Sequence, residues 1–178
     1  DPELVFRHNM ARAKLFGFID PPEVTFRRYD GDQSPSAQYA RAIAYHQQAR
    51  LEQSIELIDG LIAQYPENPW FYELKGQVFY ESGIALKGLE PYEKAISLKP
   101  EEPLLLIGLA TCQIGLGVEQ TEFNDAAIEN LRKALRMDSE NATAYFFMSK
   151  AYGQLERAPY AEWSLAEYYA LMRNPKAV

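Results

Sequence analysis

Few side chains in this sequence are equipped for chemistry. His8, His46 and the single cysteine, Cys112, are the only imidazoles and thiol in 178 residues. A metal centre needs three or four converging ligands, and a nucleophile needs a base within hydrogen-bond reach. Neither histidine starts the His-Glu-x-x-His spacing that puts two imidazoles and a carboxylate on one helix face. One cysteine forbids an internal disulfide. Cys112 lies in an apolar helical stretch without a nearby cation, so it reads as a buried, unreactive thiol. Asp30-Gly31-Asp32-Gln33-Ser34 is spaced like the start of a calcium loop, but the twelfth position is Arg41, where a bidentate Glu is required. A turn leading into a helix cap is the better reading. Glu119, Glu122, Asp125 and Glu129 form an acidic run that reads as a solvated face. With no nucleophile–base pair, phosphate loop or metal cluster in the pattern, no enzyme activity and no cofactor are expected of this chain.

The elements that must carry any binding surface are set by an internal repeat. Tyr65-Pro66-Glu67-Asn68-Pro69 returns as Lys99-Pro100-Glu101-Glu102-Pro103, at the 34-residue period of helix–turn–helix repeats. Segments aligned from Pro35, Pro69, Pro103 and Ala142 place Ala42, Gly76, Ala110 and Ser149 at one position. Further on, Ser54, Gly88, Ala127 and Ala161 share a second small position, followed by the large Ile58, Tyr92, Leu131 and Leu165. Small residues suit the close crossing of paired helices, and the large residues fill the space beside it. Ser34, Asn68 and Asn141 read as N-caps, the first two followed by Pro in the first turn. The expected fold is therefore an all-α superhelical array of four units, 35–68, 69–102, 103–141 and 142–178. The third unit is longer by five residues, expected around Val118–Asn124 in its internal turn. Ahead of the array, residues 1–19 read as a helix with Leu4, Met10, Ala11, Leu15 and Phe18 on its apolar face. Residues 20–34 read as an extended connector, because Val24–Tyr29 alternates.

An apolar content of 47% marks a globular chain, and a net charge of −7 without a clustered Lys/Arg face argues against nucleic acid as the main partner. No apolar run approaches the length of a membrane span. The chain opens on Asp1 rather than Met, as expected of a mature or excised piece.

The four units resemble tetratricopeptide repeats over residues 35–178. A longer set of segments, His8-Asn9-Met10-Ala11-Arg12-Ala13-Lys14-Leu15, Pro21-Pro22, Arg28-Tyr29, Tyr39-Ala40-Arg41-Ala42-Ile43-Ala44 and Glu73-Leu74-Lys75-Gly76-Gln77, is similar to the C-terminal part of BepA-like periplasmic zinc metallopeptidases. That resemblance implies a bacterial periplasmic location and a role in outer-membrane protein assembly and quality control. It implies zinc only in a separate catalytic domain, and a partner- or substrate-docking role for these residues. The alternative is a stand-alone repeat scaffold, an adaptor in envelope secretion or pilus assembly.

In such an array the first helix of each unit lines the inner face. Helical spacing puts Tyr39, Ile43, His46 and Gln47 there, then Trp70, Glu73, Gln77 and Tyr80, then Ile107, Thr111 and Ile114, then Phe146 and Lys150. A mixed aromatic and polar stripe suits an extended peptide or a partner helix. Repeats of this kind that clamp a C-terminal carboxylate use Lys and Asn, and here Tyr39 and Ile43 stand in those places, which argues against that mode.

Overall fold

A computed structural model of the chain describes residues 1–173. Among them are ten α-helices and no strand: α1 Pro2–Ile19, α2 Pro22–Arg28, α3 Pro35–Gln47, α4 Leu51–Gln64, α5 Pro69–Glu81, α6 Ala85–Leu98, α7 Pro103–Leu116, α8 Glu122–Met137, α9 Ala142–Gln154 and α10 Ala158–Arg173. The fourth expected unit runs to 178, and residues 174–178 lie outside the described residues.

Local chemistry sets the helix ends. Ser34 Oγ accepts the Ala37 N–H, Asn68 Oδ1 the Trp70 N–H and Asn141 Oδ1 the Ala144 N–H, each satisfying an orphan donor of a first turn. Three of the internal turns close through a left-handed residue two positions past the helix: Ala49 (φ 57°), Gly83 (φ 77°) and Glu156 (φ 55°). At Gly83 the next N–H, that of Ile84, reaches back to the Phe79 carbonyl at 2.9 Å, the reach-back bond of a Schellman end.

From α3 onward each helix packs on the next, and the first helices of successive units also meet, α5 with α7 and α7 with α9. No comparable pairing joins α4, α6, α8 and α10 among the described residues. The odd-numbered helices therefore form the inner layer of a curved stack. The core follows the small–large alternation: Ser54, Gly88 and Ala127 are buried, with Ile58, Tyr92 and Leu131 beside them. Gly88 brings α6 onto α5 and α7, since an added Cβ would stand 2.9 Å from Cys112 Sγ and 3.0 Å from the Gly76 carbonyl oxygen. Tyr92 is wedged over two glycines, and a Cβ at Gly76 or Gly108 would fall 2.5 and 2.2 Å from its ring.

The structure corrects three expectations. Residues 20–34 are not simply extended, because Pro22–Arg28 is helix α2. Pro22 stands at the first helical position, where its fixed φ favours a helix, and the Val24 and Thr25 N–H groups bond the Pro21 carbonyl. Over so few residues, alternation cannot separate strand from helix. On α1 the face turned to the array runs Phe6, Met10, Ala13, Gly17, leaving Leu4 and Leu15 of the expected apolar face 67% and 54% exposed. The helix is apolar on several sides, so hydrophobicity alone did not choose between them. The insertion in the third unit is not a single loop. Relative to α5 and α6, one residue lengthens α7, two lengthen the turn and two lengthen α8. Asn124 is buried and its Nδ2 donates to the Gly117 carbonyl at 2.9 Å, tying the longer turn down.

Candidate functional site

The inner face of the first unit is covered by the chain itself. Helix α1 lies along α3, on the side that carries Tyr39, Ile43 and Gln47. Gly17 allows the approach: a Cβ there would be 3.0 Å from the Ile43 side chain. Gln47 Nε2 donates to the Phe18 carbonyl at 3.1 Å, and Arg41 Nη1 holds the connector by donating to the Tyr29 and Asp32 carbonyls at 2.8 and 2.6 Å. Tyr39 and Ile43, expected to line an open groove, are thus buried beneath α1, while Gln47 stays exposed. Burial of such side chains stabilises by roughly 25 cal/mol per Å² of apolar area, so α1 is a working part of the core.

The same helix reaches α5. Lys14 Nζ pairs with Glu73 Oε2 at 2.7 Å, and Glu73 is only 5% exposed. Glu73 is therefore occupied by an internal partner. Close by, the Tyr39 hydroxyl is buried with no hydrogen-bond partner. Burial, then the nearby Glu73 charge, hold its phenol well above the usual range, so it stays a neutral donor.

Between the first half of α1 and the α4–α5 turn lies an open cleft of about 910 Å³. Phe6, Met10 and Lys14 form one wall, Tyr65 to Trp70 another, and Leu98 and Lys99 close the far side, with Tyr39 also in the lining. Phe6 packs against Tyr65 with ring centroids 5.3 Å apart. Trp70, half-buried, has the ammonium groups of Lys99 and Lys14 at 4.7 and 5.9 Å from its ring centroid. An indole with two ammonium groups near its ring, beside apolar walls, can grip an apolar side chain and attract a carboxylate next to it.

The remaining expected residues divide. Ile107 and Ile114 are buried in the core formed with α8 and α9, and the buried Thr111 donates to the Ile107 carbonyl. Tyr80 rests partly buried against Tyr92, Leu109 and Cys112. Gln77 Nε2 donates to Glu81, whose other oxygen lies 2.6 Å from His46 Nε2. That contact, chiefly, holds the Glu81 carboxyl below the ordinary range. Phe146 packs at 5.4 Å on Tyr168, with Lys150 over its ring at 4.7 Å. The structure does not gather these side chains into one surface with Trp70. Among the described residues no group of three His, Cys, Asp or Glu side chains is placed to hold a metal ion. Cys112 is buried and its thiol is pushed up to about 12 by that burial.

Sequence reasoning missed Phe6, Lys14, Tyr65, Leu98 and Lys99 as cleft residues. Tyr65 and Lys99 were visible as the repeated residue before Pro66 and Pro100, but only as punctuation between units.

Solved structures supply the parallel for this architecture. PilF of Pseudomonas aeruginosa superposes with a TM-score of 0.72 at 15% identity, covering 92% of this chain and 75% of that one. YrrB, described as a TPR protein with an unusual peptide-binding site, gives 0.67 at 15% identity over 95% and 87%. MamA from Desulfovibrio magneticus RS-1 gives 0.65 at 16% identity over 93% and 92%. The fold is a tetratricopeptide-repeat array. At these identities the likeness concerns the fold alone. No protein-family model and no curated protein sequence matches the chain.

Proposed function

We propose that this array is a protein-docking domain that captures an extended segment of a partner in the cleft between α1 and α5, with Trp70 as the anchor. The observation that carries the reading is the half-buried Trp70, with the ammonium groups of Lys99 and Lys14 near its ring, in an open, mostly apolar cleft. Tryptophan in a pocket beside cations is the composition of an interface hot spot. The fold shared with YrrB, a repeat protein whose description names a peptide-binding site, supports peptide capture as the class of activity.

The finer reading is the docking portion of a BepA-like periplasmic zinc metallopeptidase that handles outer-membrane proteins. It rests on the sequence segments from His8 to Gln77, and α1, which carries the first of them, forms a wall of the cleft. Zinc belongs in that reading to a separate catalytic domain. A second reading, a stand-alone scaffold in envelope secretion or pilus assembly, is compatible with PilF and MamA having the same array over most of their compared chains. A His-Glu-x-x-His helix encoded upstream of Asp1 decides for the first, and its absence decides for the second.

Docking itself is tested with a urea-unfolded outer-membrane β-barrel protein diluted into buffer with the array. Trp70→Ala and Lys99→Glu are each expected to weaken binding by roughly tenfold or more, with thermal unfolding of the array little changed. Affinity unaltered by both variants would remove Trp70 from the binding surface.

A further inference from the structure

The outer grooves of the stack, between successive second helices, can be compared position by position. In α4, α6 and α8 the residue five beyond the small crossing residue is Asp59, Glu93 and Arg132, and four further on stand Ala63, Ser97 and Arg136. The facing wall comes from the next second helix. In the last groove that wall presents Tyr160 and Trp163 from α10, and the equivalent positions are Lys87 and Glu90 in α6 and Ala126 and Glu129 in α8. The first two grooves are therefore acidic or charged on both walls. In the last one an arginine, Arg132, replaces the acid, a second arginine, Arg136, replaces Ala63 and Ser97, and the positions facing them are aromatic.

The last groove is also open. It encloses about 840 Å³ between α8, α9 and α10, and Tyr160 and Trp163 remain 57% and 51% exposed. The aromatic wall is braced from α9, with Trp163 edge-on to Tyr145 at 5.8 Å and Tyr160 stacked on Tyr152 at 5.2 Å. Tyr152 OH in turn accepts from Arg132 Nη2 at 3.0 Å, while Arg132 Nη1 pairs with Glu129. Arg136 is exposed and joins none of the ion pairs of the described residues.

On a chain of net charge −7, two arginines beside four aromatic rings form a local reversal of sign. Guanidinium groups match carboxylates in a bidentate fork, and Trp, Tyr and Arg together are the residues on which interface affinity concentrates. We propose that the groove between α8 and α10 is a second docking site, which takes an acidic extended segment of a partner protein. A carboxylate of the segment pairs with Arg136, and a neighbouring apolar side chain packs across Trp163 and Tyr160. The site lies on the outer layer, is lined by residues other than those of the Trp70 cleft, and stands or falls independently of it.

The two tryptophans of the chain allow each site to be read separately. In Trp70→Phe the only indole emission comes from the α8–α10 groove. The probes are short synthetic peptides: one alternating Glu with Phe and Pro, one with every Glu replaced by Gln, and one with Phe and Pro replaced by Ser. The first peptide is expected to give a saturable shift of Trp163 emission that weakens with added salt. Both other peptides, and Arg136→Glu with the first peptide, are expected to bind roughly tenfold or more weakly. Arg136 is exposed, so its replacement should leave thermal unfolding unchanged; Arg136→Gln is the milder variant should the charge reversal disturb folding. In Trp163→Phe, any response of Trp70 emission reports the α1–α5 cleft alone, and it is expected to be unchanged by adding Arg136→Glu. No saturable Trp163 shift, equal binding of the Gln peptide, or full affinity in both Arg136 variants would each overturn the proposal.

Discussion

At the scale of single residues, the Lys14–Glu73 pair shows how the helix before the array is fastened to it. Glu73 sits on the inner face of α5 with almost no exposure, and Lys14 comes from another helix 59 positions earlier to neutralise it. A buried carboxylate without its cation is costly, because the desolvation of the charge is no longer offset. Lys14→Met is therefore expected to destabilise the fold by about 1–3 kcal/mol, reduced from the fully buried case because Lys14 is partly solvated. Glu73→Gln in the same background should recover part of that loss, since the amide has no charge to strand. Urea unfolding of the two single variants and the double variant measures the coupling; strictly additive losses would mean that the pair is not what holds α1 in place. The sequence could not reveal this partnership. Glu73 has the right helical spacing for an open inner face, and only the path of α1 removes it from that face.

At the scale of elements, the repeat was legible because it rests on volume. Small residues at Ala42, Gly76, Ala110 and Ser54, Gly88, Ala127 are what close helix crossings demand, and all six are buried. The caps at Ser34, Asn68 and Asn141 were equally plain, since each is a side-chain oxygen at the start of an apolar run. Helix α2 was not legible: its formation depends on Thr25 and Phe26 finding α1 and α3, with Thr25 buried and Phe26 at 4.8 Å from Tyr45. The internal turns carry a further consequence. Ala49 and Glu156 hold the left-handed conformation that Gly83 holds without a Cβ penalty. Ala49→Gly and Glu156→Gly should each stabilise the array by up to about 1 kcal/mol, the relief at the turn exceeding the entropy of the added glycine. Chemical denaturation midpoints check this, and a lower midpoint for both variants would show that these turns are not strained.

At the scale of the whole molecule, the chain is a stack whose inner face is partly filled by its own first helix. The expected groove assumed that every inward residue of α3, α5, α7 and α9 was available. In the structure α1 covers Tyr39 and Ile43, Ile107 and Thr111 belong to the core, and the open cleft lies at the edge of α1, around Trp70. Trp70 was legible as an inward residue from its type and spacing, and it lines the cleft. The wall opposite it was not, because Phe6, Met10 and Lys14 come from outside the repeat and obey no period. The central claim, that partner segments enter between α1 and α5, is tested most directly by hydrogen–deuterium exchange of the array with and without an unfolded outer-membrane β-barrel protein. Slowed exchange in the first turns of α1 and in residues 65–70 is the result this account predicts. Unchanged exchange at both places, in a complex shown to have formed, would contradict it.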